Sequence, residues 1–463
     1  MFGHPILLLL ISTLLFQGHD SFANVGMDYG LGSRTSAFGG AGAAYDSGAY
    51  SAYSNPASIA NETGSRFQIE VGMLWMNPEF TPIRNVVVEN GYVGDSLSTS
   101  PLVKDVDTNY RSTWGQTFGA NFKVFPDWRN FSVGAALFAP LQQLAYMDSG
   151  EAFVPEYILY RSRTQKPQVA LGVALELGHG WNLGLGAQLA YSLTSSATAF
   201  LQTQPSKPST LRFASSLKSK LTPQLGLHYR SNEPGSSFNL GAVIRLESSS
   251  PNEIYLRSAA RAFGNYAALD FNFASKSTLF YDPLTIELGT SFATPFLEIW
   301  NAKTIAQLDY QAWKNFEAPT LTIIDPITEG CGTTSCGILI SQGNNPKIPT
   351  RNIFIPRLGE EIQIKSTTLR FGYTYKPSIL SELPSNAGNA LDPPKQTFTL
   401  GLGWKLPVQI DLHFAYSILQ TQTIKKTAGD ESGALNGDQK IGSPGYETGG
   451  KIYGGGITLG LAF

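Results

Sequence analysis

From about residue 65 to residue 463, apolar side chains recur at every second position in segment after segment, and that period limits what the chain can fold into. In WNLGLGAQLAYSL, Trp181, Leu183, Leu185, Leu189 and Leu193 alternate with Asn182, Gly184, Gly186, Gln188 and Ser192. QTFTLGLGWKL sets Phe398, Leu400, Leu402, Trp404 and Leu406 on one face. VQIDLHFAYSI sets Ile410, Leu412, Phe414 and Tyr416 against Gln409, Asp411, His413 and Ser417. Successive side chains of a strand point to opposite faces, so a period of two means strand and excludes helix. Alternating segments of roughly ten residues are the pattern of a barrel wall, with lipid on one face and lumen on the other.

The connections distinguish a membrane barrel from a soluble sandwich. Strands are expected near 65–77, 111–125, 131–146, 166–178, 181–194, 217–230, 237–249, 281–294, 297–312, 351–363, 367–377, 395–406, 408–422 and 449–463. Short turns such as PDWRN, GHG, NEPGS, ATPF and KLP alternate with long loops near 78–110, 147–165, 195–216, 250–280, 313–350, 378–394 and 423–448. Short turns at one end and long loops at the other mark an outer-membrane barrel, and fourteen strands satisfy the even count of single-chain bacterial barrels. The fold class expected is therefore an all-β membrane protein, a fourteen-stranded antiparallel transmembrane barrel over 65–463. The segment at 351–363 leaves its register open, because Ile353, Ile355, Arg357 and Glu361 share one face.

Export is consistent with the rest of the chain. PILLLLISTLLF is too short to span a bilayer, and SFA ending at Ala23 supplies small residues for cleavage, so 1–23 reads as a secretory signal peptide. Its opening MFGHP carries neither Lys nor Arg. Beyond residue 24 no run approaches the ~20 apolar residues of a membrane helix. With 15% charged residues, a formal net charge of −2 and no basic stretch, a nucleic-acid partner is excluded. Cys331 and Cys336, in CGTTSC, read as a small disulfide clamping a loop, since no further Cys or His lies close enough to complete a metal site.

One segment breaks the pattern. LGSRTSAFGGAGAAYDSGAYSAYSNPASIA (31–60) is rich in Gly, Ala and Ser and reads as neither helix nor strand. A dinucleotide loop is excluded, because no strand precedes it and no helix of a βαβ unit follows. A leader, this segment with its NPA at Asn55, Pro56 and Ala57, and then repeated barrel strands together resemble the FadL/TodX family of outer-membrane transporters for long-chain fatty acids and other hydrophobic compounds. LDYQAWKNFE (308–317), TLRFGYTYKPS (368–378) and LDPPKQTFTLGLGW (391–404) are similar to family signatures in the expected order. The resemblance covers nearly all of the chain after the leader. It implies a barrel whose lumen is plugged by an N-terminal hatch, here 24–64. Physical chemistry agrees: a wall of this size leaves a lumen that side chains cannot fill, and irregular backbone is tolerated at membrane depth only inside protein. Gly39, Gly40 and Gly42 allow tight folding against the wall. The bland alternative is a periplasmic tail ending in an Asn-Pro turn.

The resemblance also implies capture on outer loops, binding in the barrel and sideways release where the third strand kinks. Pro140 lies within FSVGAALFAPLQQLAYM, where it cannot donate to a ladder, so it is the candidate for lateral opening, with a simple β-bulge as the alternative. Leu141 and Gln142 follow it where the family usually shows a glycine. For capture, NEIYLRSAARAFGNYAALDF (252–271), with Phe263 and Tyr266, is expected to form short amphipathic helices over the mouth or to fold inward for its own stability. For binding, the strand register turns Lys218, Lys220, Arg245 and Arg370 into the lumen, where they suit a carboxylate or pair with lumen acids such as Glu247. Phe463, after apolar residues at alternate positions, resembles the signal read by the outer-membrane insertion machinery.

Three function classes compete: a passive channel for hydrophobic molecules, an outer-membrane lipid hydrolase and a general porin. Hydrolysis needs a nucleophile with a positioned base, and His179, His228 and His413 come with no G-x-S-x-G elbow, His pair or carboxylate dyad. An open porin would not carry the Gly/Ala-rich segment. The expectation is a non-enzymatic monomer without metal or cofactor, in contact with outer-membrane lipid, taking up fatty acids or aromatic hydrocarbons.

Overall fold

The structure, a computed structural model, describes residues 25–463 except 46–47, 62–65, 89–91, 94–95, 98–101, 107–109, 111, 126–130, 142–156, 158–159, 161–166, 203–209, 232–237, 262–268, 296–300, 317–319, 328–348, 383–390, 426–438 and 442–444. The expected leader, Phe263, Tyr266, Cys331 and Cys336 lie outside the described residues.

Fourteen strands close into one antiparallel barrel. They are β1 (Phe67–Phe80), β2 (Thr113–Phe125), β3 (Phe131–Pro140), β4 (Gln168–Gly178), β5 (Trp181–Gln202), β6 (Thr210–Arg230) and β7 (Phe238–Arg245). The second half is β8 (Leu284–Pro295), β9 (Asn301–Ala312), β10 (Ile353–Ile364), β11 (Thr367–Lys376), β12 (Lys395–Lys405), β13 (Gln409–Lys425) and β14 (Gly445–Ala462). Each pairs with its neighbours in sequence, and β1 closes the wall on β14 from Gln68↔Ala462 to Phe80↔Gly450. Closure removes the open edge that lipid cannot satisfy. No helix among the described residues is long and apolar enough to cross a membrane.

The alternation sorts side chains as expected. Leu185, Leu288, Phe354, Leu400 and Phe414 are exposed on the outer face, while their sequence neighbours are turned inward. Aromatic rings ring both ends of this band: Phe67 stacks on Phe463 at 6.4 Å and Trp181 packs on Tyr229 at 4.8 Å. At the long-loop end Trp75 meets Trp114 at 6.1 Å and Tyr453 at 5.5 Å. Along β1, Phe67 and Trp75 stand roughly 20 Å apart on the barrel axis, allowing ~3.4 Å per residue and a tilt of about 40°, which matches a hydrocarbon-facing band between interfacial girdles. Beyond Trp75 the outer face turns polar, with the exposed pair Lys451 and Glu79 at 2.8 Å. The open register of 351–363 resolves with Ile353, Ile355 and Arg357 inside and Phe354 and Leu358 outside.

Several boundaries depart from expectation. β5 and β6 run past the wall to Gln202 and back from Thr210, through what reads as a loop. Near its tip β5 exchanges partners: residues 182–189 pair with β4, and Leu193–Gln202 pair in parallel with a strand Ser248–Arg261. That strand pairs with Leu269–Asp282, which pairs with Thr320–Ile327. The described part of 252–271 is therefore strand and not amphipathic helix. Pro140, expected inside a strand reaching 146, is the last residue of β3, opposite Gly115.

Candidate functional site

The described residues of 25–61 lie inside the wall. Their regular pieces are one or two turns long: Val25–Tyr29, Ser33–Ser36, Gly48–Tyr50, Ser51–Ser54 and Pro56–Asn61. Leu31, Phe38, Tyr50, Asn55 and Ile59 are fully buried. Such short pieces leave most backbone groups without partners of their own, and buried backbone groups need them. The inward, polar half of the strand alternation supplies them. Ser33 donates its N–H to Thr458 Oγ1 at 2.9 Å, and Ala43 donates to Gln307 Oε1 at 2.9 Å. Asn121 donates to the Gly48 carbonyl, Thr374 to Gly39 and Thr399 to Ala37. The lumen face is rich in Ser, Thr, Asn and Gln because it solvates an irregular chain.

Glycines in the wall set how closely that chain approaches. A Cβ on Gly184 would lie 2.1 Å from the Ala57 nitrogen, and one on Gly226 would lie 2.1 Å from Asn55 Oδ1. Asn55 organises the NPA turn: its side chain donates to the carbonyls of Ala43 (2.7 Å) and Leu227 (3.2 Å) and accepts from the Ala57 N–H (3.0 Å). Gly39 and Gly40 have φ of 65° and 86°, a left-handed backbone that glycine adopts without strain. Gly42 lines a small polar cavity beside Arg245.

Ion pairs tie the segment to the wall. Arg357 donates Nε to Asp309 at 2.7 Å, Nη2 to the Met27 carbonyl at 2.8 Å, and Nη1 to the carbonyls of Asp28 (3.1 Å) and Gly39. Lys395 pairs with Asp28 at 2.6 Å beneath the Tyr29 ring. Arg34 lies 3.7 Å from Glu70 and 3.8 Å from Asp411.

The four sequence-chosen cations separate into two groups. Arg370 is buried between Glu361 (2.8 Å) and Asp411 (2.5 Å), with Phe38 beneath it. Arg245 pairs with Glu287 and donates to the carbonyls of Tyr53 and Ser54 at 2.8 Å each. Lys218 and Lys220 sit higher, on the extension of β6, and are exposed. Glu247 accepts from Asn315 at 2.9 Å. His228 is buried with Nε2 3.4 Å from the Ala44 carbonyl. Arg357, Lys395 and Asp28 escaped the sequence reading of site residues; Arg357 figured there only as one of the residues that left the register of 351–363 open.

Above the segment, toward the long loops, the interior becomes apolar and aromatic. Phe80 stacks on Tyr157 at 4.4 Å and meets Tyr110 and Tyr160 at 5.1 and 5.2 Å. Trp313 packs on Tyr281 at 5.6 Å, and Ile353, Ile379 and Leu391 extend the same buried cluster down to Tyr29 and Leu31. Two lysines stand at its edge, Lys395 and Lys376, the latter 3.6 Å from Asp392. Tyr160 donates to Asp392 at 3.0 Å, and burial together with that carboxylate holds its hydroxyl well above the usual tyrosine range, so it stays a neutral donor.

A crystal structure of a Pseudomonas aeruginosa FadL homologue superposes on this chain with a TM-score of 0.58 at 12% identity, covering 96% of this chain and 99% of that one. The P. putida toluene transporter TodX gives 0.51 at 14% identity, over 94% and 99%. The CymD monoaromatic hydrocarbon channel gives 0.50 at 12%, over 95% and 99%. No protein-family model and no curated protein matches the chain. Coverage of nearly the full length of each barrel establishes that this chain has the fold of the FadL homologue and of TodX.

Proposed function

We propose that the chain is an outer-membrane channel for passive uptake of hydrophobic molecules, with residues 24–64 as its hatch. The observation that carries this reading is the division of the lumen: a buried aromatic and aliphatic cluster toward the long loops, above a segment held by hydrogen bonds and ion pairs. Polar solutes gain nothing from the upper layer, whereas an apolar molecule exchanges water for it at about 25 cal/mol per Å² buried. The solved barrels of the same fold named for toluene transport and for a monoaromatic hydrocarbon channel support the same direction. In this reading the long-loop end faces outside, outer loops capture the ligand, the hatch shifts, and release occurs sideways near Pro140.

The test is uptake of a labelled long-chain fatty acid and of toluene into cells with and without the protein, together with single-channel conductance. Hydrophobic uptake at low steady conductance is expected; high steady conductance without such uptake would make the protein a general porin, and ester hydrolysis by the purified barrel would make it an enzyme. Pro140→Ala should slow uptake severalfold if release passes near the end of β3, and unchanged uptake removes that residue from the route.

A further inference from the structure

The outer wall carries a depression at a place where the barrel is one backbone thick. Gly134 of β3, Gly172 of β4 and Gly186 of β5 stand side by side in the ladder, a glycine row across three strands. On the lumen side the hatch reaches two of the three: a Cβ on Gly172 would lie 2.9 Å from Ile59 Cδ1 and 3.3 Å from Pro56 Cβ, and one on Gly134 would lie 3.0 Å from Ile59 Cδ1 beside Asn121, whereas Gly186 faces Gln224. On the outer side the neighbouring row reads Ala120, Ala135, Leu171, Ala187 in cross-strand register. The next row, Phe122, Val133, Val173 and Leu185, forms a ridge. Ala120, Ala135 and Ala187, low beside the protruding Leu171 and that ridge, leave an apolar groove of about 580 Å³.

Depth decides what can fill it. Ala135 lies four residues from Phe131 and Ala187 six from Trp181, both at the short-turn end, so at ~3.4 Å per residue and the same tilt of about 40° the alanine row lies roughly 10–15 Å inside that girdle, with Phe122 on the ridge bordering it. This is hydrocarbon, where water is absent and an unfilled concavity forfeits its dispersion contacts. We propose that the groove holds one acyl chain of a phospholipid from the periplasmic leaflet. The chain lies against the alanine row and the outer face of the glycine backbone, and Ile59 and Pro56 press on the other face of the same backbone. A seated lipid thereby closes the thinnest part of the wall from outside while the hatch closes it from inside.

This inference rests on the membrane orientation proposed above and not on the transported molecule. The barrel is purified from nanodiscs of phosphatidylethanolamine and phosphatidylglycerol and weighed by native mass spectrometry. One retained phospholipid per barrel is expected. Ala135→Leu with Ala187→Leu, which project outward and leave the lumen unchanged, should lower the retained fraction about tenfold, since each displaced methylene contact counts. The same pair of substitutions should leave hydrophobic uptake measurable. Equal retention in both proteins, a retained fatty acid or hydrocarbon instead of a phospholipid, or a dimer mass would each overturn the proposal. Insertion is scored separately by heat-modifiable gel mobility, so a barrel that never enters the bilayer is told apart from an empty groove. Should the double variant not fold, phospholipid with brominated acyl chains crystallised with the unaltered barrel gives the answer: anomalous density in the groove supports it, and density only elsewhere ends it.

Discussion

Every guanidinium nitrogen of Arg357 is engaged, one by Asp309 on the wall and two by carbonyls at residues 27, 28 and 39. One planar fork therefore joins two stretches of the N-terminal segment to β9 and β10, which a lysine could not do with a single ammonium. Breaking a buried pair by removing one partner costs about 3–5 kcal/mol, because the remaining charge is stranded. Replacing Arg357 with Leu should therefore loosen the hatch while leaving the wall ladder intact, and planar-bilayer recordings should show more frequent and larger openings. Arg357→Lys should fall between the two, keeping the Asp309 pair and losing the carbonyls. Wild-type conductance in the leucine variant would mean that the latch lies elsewhere. The register of a strand says which way a residue faces and not which charge it meets. Arg370 is thus readable as an inward cation facing Glu361 across the short β10–β11 turn, but its second partner Asp411 stands on β13, and local sequence carries no trace of that meeting. Arg357 was harder still, because its neighbours Ile353 and Ile355 also face inward, into the apolar upper chamber, and so blur the polar-in, apolar-out contrast.

At the scale of elements, the fourteen wall strands were legible because lipid on one side imposes a strict period: an outward polar residue has no water to meet. Where β5 and β6 leave the membrane, that constraint ends. Arg212, Ser215 and Ser216 follow the same backbone path as the apolar wall, so the strands could not be traced to their tips. The parallel pairing of Ser248–Arg261 with the tip of β5 joins segments some sixty residues apart, and no local pattern encodes it. Wall closure, by contrast, runs along β1 and β14 and ends at Phe463. The Phe463 carbonyl accepts from Arg66 N–H at 2.6 Å and Phe67 N–H at 3.2 Å, and its own N–H donates to Phe67 at 2.9 Å. Removing Phe463 takes these bonds and the ring stacked on Phe67, a loss of about 2–3 kcal/mol at ~1 kcal/mol per bond. The expected result is a lower urea midpoint for the refolded barrel and a smaller folded fraction in cells; an unchanged midpoint would show that β1 and β14 hold the seam without it.

For the molecule as a whole, the question is whether the proposed hatch is part of the fold or a passenger within it. It contributes no strand to the closed ladder, and its described contacts with the wall run through inward side chains and backbone approaches. The wall's hydrogen bonds are therefore complete without it. The inward charges Arg245, Arg357, Arg370, Asp309, Glu361 and Asp411 would pass from protein to water, an environment that solvates them well, whereas the same exposure to lipid would be prohibitive. Deleting 24–50 should consequently yield a barrel that still inserts and shifts on gels when heated, now enclosing a water-filled lumen of the width that fourteen strands dictate. Leakage of small polar solutes from liposomes should rise by about an order of magnitude or more, as expected when a plugged lumen becomes an aqueous one, and salt conductance should become steady. Hydrophobic uptake should lose its advantage over polar solutes, because Tyr29 and Leu31, which floor the apolar cluster, leave with the deleted segment. A truncated barrel that folds yet leaks no more than the intact one would mean that residues 51–61 and the long loops close the pore by themselves. A truncated barrel that cannot fold at all would mean that the lumen charges need their hatch partners during assembly.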